Sequence, residues 1–242
     1  MGPSFDSQSR ARLYLQGKRE DQIVDSLSET LMKLDDTRTI NAEHRLKPDE
    51  LAAWNLSLES RGFFSGASGL SKKKLSGRVD LASVDQDNLP IALFEVKAWS
   101  ATDAVDETRY LESKQYNHSI LKSFEIDALK MQAVNAAEGA TSVIVTALFT
   151  IHCDGLSNAQ LAEKGLAYVS LLNKQNSDKA KIGNSDDYRI AGVNRIMNQF
   201  EANFGSGTKL NAKFAHAPAF NRNQAILDGV GLSLDLIGAE IR

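Results

Sequence analysis

Residues Thr141 to Ile151 read Thr-Ser-Val-Ile-Val-Thr-Ala-Leu-Phe-Thr-Ile, a β-branched run that is apolar at most positions of both parities. A strand with one wet face carries a polar residue at every second position. This one does not, so it needs cover on both faces and predicts a central strand. Ahead of it, Ser119 to Ala137 places Leu121, Phe124, Ala128, Met131 and Val134 at helical spacing, and Gly139 follows as a C-cap. Ahead of that helix stand further strand signals. A strand, a helix and a strand in this order imply a right-handed crossover, with Thr141–Ile151 parallel to the strand before the helix. The expected class is α/β, with a central mixed sheet flanked by helices.

The strands before the helix lie between Gly77 and Lys97. Val79, Leu81 and Val84 form one short apolar run and Ile91, Leu93, Phe94 and Val96 another, and between them Asp-Gln-Asp-Asn-Leu-Pro reads as a turn. The pair is a predicted hairpin. Asp80 interrupts its first strand, and Glu95 and Lys97 interrupt the second. Two residues apart on a strand, Glu95 and Lys97 leave the same face of the sheet. Carboxylates converging with a lysine suit metal-dependent phosphoryl transfer: hard oxygens hold a divalent cation, the cation acidifies a bound water, and the ammonium orients that water or stabilises charge on the phosphate.

At these residues the chain resembles the PD-(D/E)xK nuclease superfamily, in which an Asp on one strand is followed by Glu-x-Lys or Asp-x-Lys on the next. Here Asp80 and Glu95 are 95 − 80 = 15 positions apart, and Glu95-Val96-Lys97 supplies the second half. One departure is Val79, which stands where the motif's name expects proline. The resemblance implies a restriction-endonuclease-like fold and a Mg²⁺-dependent nuclease, with Mn²⁺ as a substitute, acting on DNA as a homodimer. It implies Asp80, Glu95 and the Val96 carbonyl as metal ligands and Lys97 as the group that positions or deprotonates the attacking water.

Ile23, Val24, Leu27, Leu31 and Leu34 recur at helical spacing in Arg19 to Leu34. At about 100° per residue Glu20 falls within that apolar stripe and Glu29 opposite it. The resembled family takes a glutamate from its first helix into the metal site, and Gly17-Lys18-Arg19-Glu20 matches the setting. Glu20 is therefore expected as a third acid, the other reading being a first-turn residue favoured by the helix dipole. Thr39 to Leu46 reads as a strand carrying His44, which is structural or assists the site. Pro48-Asp49-Glu50 starts a helix that Gly62 stops. The order helix, three strands, helix, strand is the αβββαβ core of the resembled superfamily and spans about 13 to 152. The resembled family often turns a Lys or Gln from the region after its Glu-x-Lys strand towards the site or the DNA backbone; Lys114, Gln115, Lys130 and Gln132 are the candidates here, with Lys130 nearest the restriction-type pattern.

The balance of 28 basic and 31 acidic residues, formally −3, speaks against indiscriminate nucleic-acid binding but leaves room for a local basic stripe. Lys72, Lys73, Lys74 and Arg78 precede Asp80 and are either phosphate contacts or a solvated loop. A single cysteine, Cys153, excludes an internal disulfide and reads as a buried thiol. No apolar run is long enough for a membrane span and the first ten residues lack a signal-peptide core, so a cytoplasmic protein without a membrane partner is expected.

The boundary is placed at 1–155 for the nuclease core and 156–242 for an extension packed on it. In the extension, Ser157 to Leu172 reads as a helix, Asn173 to Asp187 as a loop and Arg189 to Phe204 as a helix. Leu232, Leu234 and Leu236, alternating with Ser233 and Asp235, read as an edge or hairpin strand. Two other classes compete with the nuclease: a non-cleaving nucleic-acid-binding or assembly module on the same fold, and an α/β protein in which Asp80, Glu95 and Lys97 form a cross-strand salt bridge.

Overall fold

The computed structural model describes residues 19–35, 37–65, 69–72, 75–106, 110–152, 156–163, 184–221, 226–227 and 230–242. Lys73, Lys74, Cys153, the second half of the helix expected at 157–172 and most of the loop expected at 173–187 lie outside them.

Helix α1 (Arg19–Leu34) leads into strand β1 (Thr39–Arg45), helix α2 (Pro48–Ser60) and the antiparallel pair β2 (Arg78–Val84) and β3 (Pro90–Ser100). A short helix α3 (Ala101–Val105), a 3₁₀ turn (Tyr116–His118) and the long α4 (Ile120–Glu138) carry the chain to β4 (Thr141–His152). Then follow α5 (Asn158–Glu163), α6 (Ser185–Phe204), β5 (Lys213–Phe220), β6 (Ile226–Leu227) and β7 (Val230–Ile241). The strands form one mixed sheet in the order β1-β2-β3-β4-β7-β5, with β6 added to β7. Only β3 and β4 run parallel among these pairs, as the crossover through α4 requires.

Local signals set the element ends. Ser119 caps α4 by accepting from the Lys122 N–H, and Gly139 ends it at φ +68°, a left-handed conformation that costs glycine little. Asn184 caps α6 in a box with Asp187, so that helix begins four residues ahead of the expected Arg189. Past β3, Ser100 and Asp103 cap the short α3 reciprocally and Asp103 is buried.

β4 is covered on both faces. On one, Ile144 and Leu148 pack with residues of α2, α4 and α6, among them Trp54, Phe124, Met131, Ile196 and Phe200. On the other, Val145, Ala147, Phe149 and Ile151 pack with Val96, Leu232, Leu234 and Ile23 of α1. Strand β7, expected at an edge or in a hairpin, lies inside the sheet between β4 and β5. Its alternating polar residues are satisfied internally, not solvated: Ser233 Oγ lies 2.6 Å from His152 Nε2, and the fully buried Asp235 accepts two hydrogen bonds from Arg189 and pairs with His216. Residues from both sides of the 155/156 boundary thus share one sheet. No helix among the described residues is long and apolar enough to cross a membrane.

A buried charge cluster where two strands part

The ladder between β2 and β3 runs from Val84↔Pro90 to Leu81↔Phe94. Past Phe94, on the side away from β4, strand N–H groups need other acceptors. Carboxylates supply them: Val96 N–H donates to Asp80 Oδ2 at 2.7 Å and Ala98 N–H donates to Glu20 Oε1 at 3.3 Å. The other edge of β3 stays paired with β4 from Ala92 to Ser100. The parting of two strands therefore fixes two acids from distant parts of the chain against one segment. Glu20 is exposed in the first turn of α1 yet reaches that segment.

Glu95 and Lys97 do share a face, and the Lys97 ammonium donates to Glu95 Oε1 at 3.1 Å and to the Val96 carbonyl at 3.2 Å. Two residues of α4 complete the cluster. Lys130 Nζ lies 2.7 Å from Glu95 Oε2 and 3.5 Å from Asp127 Oδ1, and Asp127 Oδ2 lies 3.5 Å from the Lys97 ammonium. Lys130 also donates to the Arg78 carbonyl at 2.9 Å and sits over the Trp54 ring. A cavity of about 180 Å³ opens onto the group, lined by Trp54, Leu75 and Tyr116 together with Glu95, Lys97 and Asp127.

Asp80, Glu95 and Asp127 set three carboxylates against the two ammoniums of Lys97 and Lys130, an excess of one negative charge when all are ionised. The titration of each group reflects this. Burial, and then repulsion from Glu95, push Asp80 up to about 6 against the pull of Lys97, the Val96 N–H and Lys130. Burial also works against ionised Glu95, but Lys130 and Lys97 outweigh it and hold that carboxyl below its ordinary value. Asp127 goes the other way, raised by burial and by Glu95 despite the two lysines. Both ammoniums resist deprotonation: burial opposes their charge, but the surrounding carboxylates prevail, and Lys97 is raised well above the ordinary lysine value.

Asp80 thereby makes a stability prediction. Its value rises from 3.8 to about 6 on folding, so the folded state binds the extra proton between those pH values and stability falls as pH rises through the window. Above it, the ionised side chain costs roughly 3 kcal/mol at 1.36 kcal/mol per unit. Asp80→Asn, whose amide oxygen still accepts from Val96, is expected to gain roughly 1–3 kcal/mol at pH 8 and little at pH 4, read by urea unfolding at the two pH values.

The residues expected to bind DNA are placed less favourably. Lys130, 3% exposed, is inside the cluster and not on a surface that phosphates reach. Arg78 pairs with Glu43, and Lys72 pairs with Glu59 and lies over the Phe64 ring. His44 is on β1 opposite Val79. Asp127 was not foreseen as a site acid; the one signal for it in the sequence is its spacing of three from Lys130 on α4.

A divalent cation fits the donor chemistry here in one respect and meets a competitor in another. Asp80, Glu95 and the Val96 carbonyl are hard oxygens in a cluster whose carboxylates outnumber its ammoniums. Both Glu95 oxygens, however, have ammonium partners, and among the described residues no three His, Cys, Asp or Glu side chains gather as a ready-made cage. Comparison with known proteins finds no matching family model, no matching curated protein and no matching solved structure.

Proposed function

We propose that the protein is a divalent-metal-dependent nuclease that hydrolyses phosphodiester bonds in DNA, on a restriction-endonuclease-like αβββαβ core to which α2 and the β5–β7 strands are additions. The observation that supports it most is the gathering of three carboxylates, one more than the ammoniums they face, where β2 and β3 part. Besides accepting from the Val96 N–H, an Asp80 pushed up to about 6 by burial and by Glu95 is a group whose strain a bound cation would relieve. Asp80 and Glu95, with the Val96 carbonyl and with Glu20 at the margin, would hold Mg²⁺ or Mn²⁺. The bound ion supplies an acidified water and a Lewis acid for the phosphoryl oxygens.

Lys97 is the cluster's contact with substrate. It keeps 23% of its side chain exposed against 3% for Lys130, and it opens onto the cavity. Surrounded by four carboxylates that favour its protonated form, it donates hydrogen bonds to the phosphate and offsets its growing charge. Of the two roles expected of it, positioning is the one this environment favours. Lys130 and Asp127 orient Glu95 and Lys97 from behind.

A restriction-type homodimer and a repair or mobile-element nuclease both suit such a core. The second reading, a non-cleaving module, draws on the two ammoniums that already lie against Glu95. Incubation with supercoiled plasmid separates the two. The wild-type protein is expected to nick or linearise it with Mg²⁺ or Mn²⁺ and not with EDTA, and Glu95→Gln to slow the reaction by about 10²–10³-fold or more. Absence of cleavage in both metals favours the non-cleaving module.

A further inference from the structure

Beside the charged cavity lies a second concavity, of about 350 Å³, that none of Lys72, Arg78 and Lys130 lines. Arg61, Lys114 and Lys122 surround it, with Glu125 as its one acid and the ring of Phe63, 6% exposed, at its base. In a chain of net charge −3 this is a concentration of positive charge, three cations against one carboxylate. Two of the three cations have set partners. Arg61 pairs with Glu125 and the Lys122 ammonium donates to the Lys114 carbonyl.

The two concavities draw their linings from the same segments, with no residue in common. α4 gives Lys122 and Glu125 to the basic one and Ser123, Ile126, Asp127 and Lys130 to the charged one, two adjoining faces at about 100° per residue. The chain after α2 likewise gives Arg61 to Phe63 to the first and Leu70 and Leu75 to the second.

We infer that the Arg61–Lys114–Lys122 concavity is a phosphate-binding subsite, which takes the backbone of the nucleic-acid strand next to the bond that reacts at Lys97. This inference rests on the nuclease reading for its ligand, and it moves the phosphate contacts from the Lys72–Arg78 run to the start of α4. Phosphodiesters suit the site because several cations converge on a concave surface with an apolar base, where water screens charge less than on an open face.

The test is fluorescence anisotropy with a labelled 20-mer DNA, single-stranded and duplex, in EDTA to prevent cleavage, across a range of salt. The variants are Lys114→Gln/Lys122→Gln and the charge-keeping Lys114→Arg/Lys122→Arg, each checked by thermal melting. Loss of about tenfold or more in affinity by the glutamine pair, with the salt slope smaller by about 1–2 and binding kept by the arginine pair, supports the subsite. Wild-type affinity and slope in the glutamine pair overturn it. If the wild type binds inorganic phosphate but neither DNA, the subsite serves a small anion and the inference is likewise overturned. Metal-dependent plasmid cleavage by the wild type, lost in Glu95→Gln, reports on the nuclease reading separately, so either can fail alone.

Discussion

Lys130→Ala is expected to destabilise the protein by about 3–5 kcal/mol, the largest effect of any single substitution in the cluster, because it strands two buried carboxylates. Lys130 touches Glu95 at 2.7 Å and Asp127 at 3.5 Å and donates to the Arg78 carbonyl, so its loss leaves Lys97 alone against three acids and frees a strand carbonyl. Against a typical total of about 5–15 kcal/mol such a loss brings the fold close to its limit. Urea unfolding at pH 7.5 measures it. Asp127→Asn in the Lys130→Ala background is expected to recover part of the loss by removing one of the unpaired charges, a non-additivity that a double-mutant cycle reads directly. A cost below about 1 kcal/mol would place Lys130 among ordinary solvated lysines, against its burial.

Lys97→Gln is expected to slow metal-dependent cleavage by about 10²-fold or more with a much smaller loss of stability, since its side chain is partly exposed and Lys130 still faces Glu95. The pH profile distinguishes its possible roles. The carboxylates around Lys97 keep it charged well past neutrality, so wild-type cleavage shows no rise with pH that follows lysine deprotonation. A rate that climbs with such a deprotonation and loses that limb in Lys97→Gln would instead make the amine the base.

The strand signals were the legible ones. Period two puts Glu95 and Lys97 on one face, the turn between Val84 and Pro90 makes the hairpin, and an apolar β4 after a helix has to be parallel to β3; all three depend on residues near one another in sequence. Polar residues on buried faces were not legible. In α4 every residue from Ile126 to Met131 is buried, so helical periodicity cannot tell an inward Asp127 or Lys130 from an outward one. The alternation in β7 had the same ambiguity: Ser233 and Asp235 look like a solvent face until His152 and Arg189, 81 and 46 positions earlier, arrive to satisfy them. Glu20 was intermediate. Its place in an apolar stripe foretold an inward role, yet it meets a strand N–H at the margin of the cluster and does not enter its middle.

The claim on which the account turns is that buried negative charge at Asp80 and Glu95 is a place for a divalent cation. Calorimetric titration of Mn²⁺ into the wild-type protein, Asp80→Asn and Glu95→Gln at pH 7.5 addresses it without requiring a substrate. One saturable site in the wild type, weakened at least tenfold in both variants, is the expected result; no saturable binding by the wild type, or equal binding by all three proteins, would contradict it.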